Sequence, residues 1–245
     1  MEHKLKIETT SCSLHIMAMA FMLCDHLWAV SLLHHDVFTC IGRLAFPIYA
    51  FMIVEGYFRT KDLKKYVTRL LLFAVISEVP FDLVAGSRVF YPIHQNALWS
   101  FLISIGLIHW NETTKEQPIW KRAAVGIATI CVACFGGVIT FVDYYHAGIF
   151  MALTFYFFRG KQWWNYLGQL ICMWYINFEI LKGFGYEVTA FGETHFIARQ
   201  GIALLALIPI WLYQGKQGYH SKKLQWFYYA FYPLHLLVLG IIRSL

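Results

Sequence analysis

The chain has 245 residues, of which 59% are hydrophobic and 18% aromatic but only 14% charged, with a mean hydropathy of +0.53. Soluble domains carry about 25% charged residues, so a soluble fold is excluded, and no polar interval is long enough for a separate soluble domain. The net charge of +6 is spread between apolar runs, which argues against nucleic acid and for membrane topology signals plus an anionic partner. The composition predicts an all-α fold: one polytopic integral membrane helical bundle over residues 1–245.

Nine spans can be drawn, at 11–33, 38–57, 66–85, 93–110, 121–142, 147–158, 163–181, 197–213 and 224–243. Lys4 and Lys6 precede the first run as in a signal peptide, but no small-residue cleavage site follows and Asp25-His26 interrupts the run, so it reads as a retained helix. The second span, Ile41 to Phe58, holds Arg43 near one end and Glu55 near the other. An ionisable group at the centre of a spanning helix costs about 2.5–3.5 kcal/mol on insertion scales, so such groups face a partner, a cavity or a substrate. Pro47 lacks the amide that would bond the Arg43 carbonyl, freeing backbone one turn from that cation.

The third span begins with Arg69 and carries Glu78 and Asp82, four residues apart on one face, with Pro80 between them. His94 and Asn96 open the fourth, Asp143 and His146 end the fifth, and His235 sits within the ninth. The sixth is short for a crossing and the seventh is rich in aromatics. Cys12, Cys24, Cys40, Cys131, Cys134 and Cys172 all lie in or beside apolar runs; they read as small packing residues rather than disulfides or a zinc site.

Lys and Arg fall unevenly at alternate ends of these spans. Fifteen, from Lys4 and Lys6 through Arg59, Lys65 and Arg69 to Lys223, lie on one side, and five (Arg43, Arg88, Lys182, Arg199, Arg243) on the other. The positive-inside rule then puts the N-terminus in the cytoplasm. Two polar groups result. An outer group contains Asp25, His26, Arg43, Glu78, Asp82, Asn96, Asp143 and His235; an inner, basic group contains Arg59, Lys64, Lys65 and Arg69.

Asp25-His26 is the leading catalytic candidate, because a histidine accepts a proton at neutral pH and a carboxylate can orient it. Adjacent residues point about 100° apart on a helix, so a structural ion pair between Asp25 and Arg43 is the alternative. The Arg59–Arg69 cluster either enforces topology or holds phosphate, with Arg69 best placed because it lies within the helix. The scattered histidines have no metal-ligand spacing, so no metal is expected. A proton-coupled transporter using the same groups, and a non-enzymatic scaffold, are the rivals; no internal repeat favours a transporter.

Several segments resemble the TraX family: Met22-Leu23-Cys24-Asp25-His26, Ile41 to Pro47 and on to Glu55-Gly56, Lys65-Tyr66 with Arg69-Leu70-Leu71, Ile76 to Asp82, Ala203 to Leu207 with Tyr213 to Lys216, and Phe231-Tyr232-Pro233-Leu234-His235. That family acetylates the N-terminal amine of conjugative pilin. It is similar to the transmembrane acyltransferases, which carry acyl groups from cytoplasmic acyl-CoA to extracytoplasmic glycans or proteins. The resemblance implies a multi-pass protein of the bacterial inner membrane that uses acetyl-CoA as donor and a protein or glycan as acceptor, with a homodimer left open. His26 would be the catalytic base, with Asp25 or Glu78 orienting it. Arg43, Arg69, Arg59 and Lys65 would meet the cofactor, and Asp82, Asn96, Asp143 and His235 the acceptor. The chain departs from the family pattern at Gln95 to Ser100 and at Asp143 to Gly148, where an Asp-Tyr-Gly run is expected. Both departures fall on the outer face, where the acceptor would arrive.

Overall fold

The computed structural model describes residues 8–190 and 193–244; Lys4 and Lys6 lie outside the described residues. The first helix, α1 (Ser11–Ala29), starts in a reciprocal cap. Thr10 Oγ1 accepts from the Ser13 amide at 3.2 Å and Ser13 Oγ accepts from the Thr10 amide at 2.7 Å, satisfying amides that a helix start leaves open. After it come α2 (Val37–Gly42), α3 (Ala45–Arg59), α4 (Leu63–Gly86), α5 (Ala97–Thr113), α6 (Ile119–Ile139), α7 (Tyr145–Phe157) and α8 (Trp163–Tyr175), the last continued by a wider π turn over Ile176–Ile180. Two antiparallel strands, β1 (Gly185–Ala190) and β2 (Glu193–Ala198), pair from Gly185 with Ala198 to Ala190 with Glu193. A tight 3-10 stretch over Arg199–Ala206 leads into α9 (Leu207–Trp211), and α10 (Lys222–Ser244) ends the bundle.

Among the described residues four stretches are long and apolar enough to cross a membrane: Ser11–Ala29, Val37–Arg59, Ile119–Ile139 and Lys222–Ser244. Their outer faces are apolar as well. Ile127, Ile130, Phe135 and Ile139 on α6, and Trp226, Leu234, Val238 and Ile241 on α10, are all exposed, far beyond the apolar surface that a soluble monomer shows. These faces suit lipid.

Each expected span overlaps a helix, although the eighth begins in β2 and is mostly the 3-10 stretch, with only Leu207–Trp211 α-helical. The sixth, however, is the centre of the bundle: α7 buries every residue from Ala147 to Phe155 except the half-buried Phe150 and packs on α3, α5, α6 and α8. Its 13 residues rise only about 20 Å at ~1.5 Å each, short of a ~30 Å hydrocarbon core. The fourth expected span loses its first residues to a loop, because Asn96 caps α5 and leaves His94 outside the helix. The β1–β2 hairpin was not foreseen; it fills the interval between the seventh and eighth expected spans.

The break between α2 and α3 falls at Arg43–Leu44, where Pro47 removes the amide partner of the Arg43 carbonyl. Pro80 has no such effect, since α4 runs through it. The α2 end packs close on α1: a Cβ on Gly42 would lie 2.3 Å from Asp25 Cβ, whereas one on Gly106 meets nothing within 4 Å. Gly42→Ala should therefore destabilise the protein by about 1–3 kcal/mol, as overpacking does, with Gly106→Ala nearly neutral. Thermal unfolding in detergent checks the contrast.

Candidate active site in the central cavity

A cavity of about 660 Å³ runs along one face of α1, where Ser11, His15, Met22 and His26 all line it. From Ser11 to His26 the helix rises about 22 Å at ~1.5 Å per residue. One end is walled by Arg59, Arg69, Gln217 and His220, the other by Asp25, His26, Asp143 and Tyr144. The inner and outer polar groups expected from the sequence are thus joined by one space.

At the basic end the cations have different commitments. Arg59 donates from Nε to Glu55 at 3.0 Å and from Nη1 to the Gly215 carbonyl at 2.8 Å, and Arg159 reaches the other Glu55 oxygen at 2.9 Å. Arg59 is a brace between α3 and the loop before α10. Lys65 is 82% exposed and pairs with Asp62 at 3.3 Å; it does not line the cavity. Arg69 lies over the Tyr229 ring, 5.6 Å from its centre, and its buried Nε has no hydrogen-bond partner among the described residues. A buried guanidinium donor left unpaired is costly, and Arg69 lines the cavity with that donor unmet.

At the other end, Arg43 is fully engaged with the protein. Its Nη2 pairs with both Asp25 oxygens and with Thr39 Oγ1 at 3.2 Å; Nη1 donates to the Tyr144 hydroxyl at 3.1 Å and to Gln200 Oε1 at 3.4 Å; Nε donates to the Thr39 carbonyl at 3.3 Å. Thr39 in turn donates to Asp25 at 2.7 Å. Arg43 does not line the cavity, so the expected cofactor contact is replaced by a scaffold role, and the ion-pair reading of Asp25 is the one the geometry has. The Tyr144 hydroxyl accepts from Arg43 and donates to no partner among the described residues, and Tyr144 also lines the cavity.

His26 does not meet Asp25 or Glu78. Its Nδ1 lies 2.7 Å from His235 Nε2, with the rings stacked at 5.0 Å. Glu78 instead accepts from the Asn96 side chain and from Trp99 Nε1 at 2.8 Å, and Asp82 accepts from the Tyr91 amide at 2.8 Å. Asn96 also donates to the Ala74 carbonyl at 2.8 Å. Glu78, Asp82 and Asn96 stand behind the cavity wall and tie α4 to α5. Asp143 does reach the wall, held by His94 Nε2 at 3.2 Å. Among the described residues no cluster of three or more His, Cys, Asp or Glu is placed to hold a metal ion.

The reaction end depends on an unusual turn between α6 and α7. Phe141, Tyr144 and Tyr145 all have positive φ, at 52°, 59° and 49°, a region that bulky residues seldom occupy. The segment that departs from an expected Asp-Tyr-Gly run is thus the one where glycine would fit best. The strain turns Asp143 and Tyr144 toward the cavity. Sequence reading missed Tyr144, Thr39 and Gln200; the neighbouring Asp143 was the only signal for the first.

A family model described as TraX protein matches residues 11–243. The chain belongs to the TraX family. It is 21% identical over 245 residues to the "Probable fimbrial assembly protein FimC, serogroup H1" of Dichelobacter nodosus, covering 95% of each chain. No solved structure matches. Three of the segments that carry the TraX resemblance, around Asp25-His26, Gly42-Arg43 and Phe231 to His235, meet at the His26 end of the cavity.

Two outcomes test this geometry. Arg43→Met leaves the Asp25 carboxylate, itself only 18% exposed, without its partner and should cost about 3–5 kcal/mol, with Asp25→Leu restoring part of it in the double variant; chemical denaturation in detergent measures both. His94 lies in the α4–α5 loop, and its hydrogen bond to Asp143 raises its pKa above the ordinary 6.5 against the opposing effect of burial. A raised value means that the pair stabilises the fold fully below 6.5 and ceases to do so as pH rises through the folded value. The unfolding temperature should fall across that window, and His94→Gln should remove that component.

Proposed function

We propose that this protein is a membrane-embedded acyltransferase that moves an acetyl group from cytoplasmic acetyl-CoA to an acceptor amine on the other side. The observation that carries the reading is the single cavity joining the unpaired Arg69 to His26. Arg69 holds a CoA phosphate, as a guanidinium with a free donor does well. The pantetheine arm is peptide-like, about as long as five extended residues or roughly 15–20 Å, and fits the helix-long run from the basic mouth to His26.

At the reaction end His26 takes the proton of the acceptor amine as its nitrogen attacks the thioester carbonyl carbon. The Tyr144 hydroxyl donates to the carbonyl oxygen as charge develops there. Collapse breaks the C–S bond, and the CoA thiolate leaves with the proton returned from the imidazolium, so the protons and charge balance. No serine or cysteine is paired with His26, which favours direct transfer over an acyl-enzyme.

The acceptor we infer is the N-terminal amine of a pilin-type subunit. It is supported by the activity that TraX resemblance implies and by the fimbrial assembly name of the relative from Dichelobacter nodosus. The setting is a multi-pass protein of the bacterial inner membrane with nine passages and a cytoplasmic N-terminus. In support, the basic residues Arg59, Arg159, Lys161 and Lys216 gather at one end of the bundle through Glu55, Gly215, Gln214 and Glu8, the pattern of a cytoplasmic face.

The purified protein, given acetyl-CoA and a pilin N-terminal peptide, should release CoA thiol and acetylate the peptide. His26→Ala should lower kcat by about a hundredfold or more, the usual worth of a general base. Arg69→Gln should raise KM for acetyl-CoA about tenfold, about 1.4 kcal/mol of lost binding, with kcat retained. Full activity in His26→Ala removes that residue from the mechanism; absence of acetyl-CoA binding, or CoA-independent solute flux in proteoliposomes, overturns the class.

A further inference from the structure

His235 was expected to meet the acceptor. It is only 9% exposed and lies between His26 and the backbone of its own helix. Its Nδ1 is 2.7 Å from the Phe231 carbonyl oxygen and its Nε2 is 2.7 Å from His26 Nδ1. A carbonyl oxygen only accepts, so the His235 Nδ1 must carry a proton. A neutral imidazole carries one N–H, which leaves His235 Nε2 as an acceptor. The proton between the rings therefore belongs to His26 Nδ1, and the second nitrogen of His26, Nε2, is left bare. We infer that His235 is a positioning residue that fixes His26 as the Nδ1–H tautomer, with Nε2 as the free base. This rests on the reading of His26 as the base, although the tautomer itself does not.

The Phe231 carbonyl is within reach because Phe231 and His235 lie four residues, one turn, apart on α10. The Phe231 ring stacks on His235 at 4.7 Å and 19°, and the His26 ring lies at only 11° to the plane of His235 with centres 5.0 Å apart, the near-coplanar arrangement that an in-line N–H···N bond needs. The group that orients a histidine is normally a carboxylate or a carbonyl hydrogen-bonded to one ring nitrogen. Here one histidine transmits the carbonyl's direction to the next. The Asp25 carboxylate, next in sequence, is not available for the task, since Arg43 and Thr39 occupy its oxygens.

The test reads the tautomer directly, without any acyl transfer. Full-length protein labelled with 15N-histidine, in detergent, is examined by NMR, with the His26 signals assigned by their loss in His26→Gln. The expected result is a protonated Nδ1 and an unprotonated Nε2 at His26. In His235→Phe, which keeps the ring and its stacking, His26 should shift toward the Nε2–H form that free histidine prefers. A protonated Nε2 in the wild type, whether as the other tautomer or as a cation, overturns the inference, as does an unchanged His26 spectrum in His235→Phe. In turnover, His235→Phe should lower kcat about ten- to a hundredfold, the usual effect of losing an orienting partner, with KM for acetyl-CoA unchanged. His235→Gln should recover most of the loss, because its side-chain oxygen can accept where Nε2 did. Equal kcat in His235→Phe and wild type also overturns it. If no acetyl transfer is found at all, the functional reading falls while the NMR result still decides the tautomer.

Discussion

The pairing of Arg43 with Asp25 is the contact on which the reaction end of this bundle depends. A guanidinium at this depth is tolerable only with its donors met, and the chain meets them from four elements. Asp25 comes from α1, Thr39 from α2, Tyr144 from the α6–α7 turn and Gln200 from the 3-10 stretch. Gln200 passes the connection to Asn177 at 3.1 Å, and Asn177 to the Met173 carbonyl at 2.7 Å. An ion pair stripped of water gains little unless its remaining lone pairs and protons are satisfied. Here they are, and the same cation holds both the residue before His26 and the hydroxyl of Tyr144, another residue of the cavity wall. Gly42 is what lets α1 and α2 come close enough, and Pro47 is what turns the chain at that cation.

At the opposite end the useful contrast is between satisfied and unsatisfied cations. Arg59 and Arg159 share Glu55, so both have their Nε donors met within the fold although one carboxylate offsets only one of the two charges, and Lys65 stays in solvent with Asp62. Arg69 alone among these reaches the cavity with a buried donor unmet. Charge count could not separate these roles, because all four are basic residues at one end of the chain's helices. Hydrogen-bond accounting does. The result is a cavity with one charged anchor at its mouth, a wall of Phe51, Met52 and Tyr229 along its length and polar chemistry at its far end.

Much of this was legible in the sequence, because apolar runs bounded by charge translate directly into helices. The stretches around Asp25, Arg43, Arg69 and His235 were recognisable since charge inside a spanning helix needs a reason. What was not legible was direction. Asn96 has the same side chain whether it caps a helix or touches a substrate, and only its contacts with Ala74, Glu78 and Leu98 show it as a cap. The burial of α7 was hidden for a related reason: a helix apolar on every face reads alike whether lipid or protein surrounds it. Its length was the one clue. The hairpin at 185–198 was hidden by its short, mixed strands, and it pins the outer end through Arg199 and Tyr186 on Asp36 at 2.9 and 3.2 Å.

One turn of α1 also explains why the orienting partner of His26 is another histidine. Asp25 and His26 point about 100° apart, so the carboxylate faces Arg43 while the imidazole faces the cavity and α10. A carboxylate placed behind His26 would add negative charge to a region that already holds Asp25 and Asp143 with one guanidinium, and an unpaired carboxylate away from water is costly. A neutral imidazole held by a backbone carbonyl supplies the same direction without charge. The chain thereby separates two tasks that a soluble enzyme often gives to one acid. Asp25 holds the architecture together, and His235, carrying no net charge, sets which nitrogen of His26 is free to react.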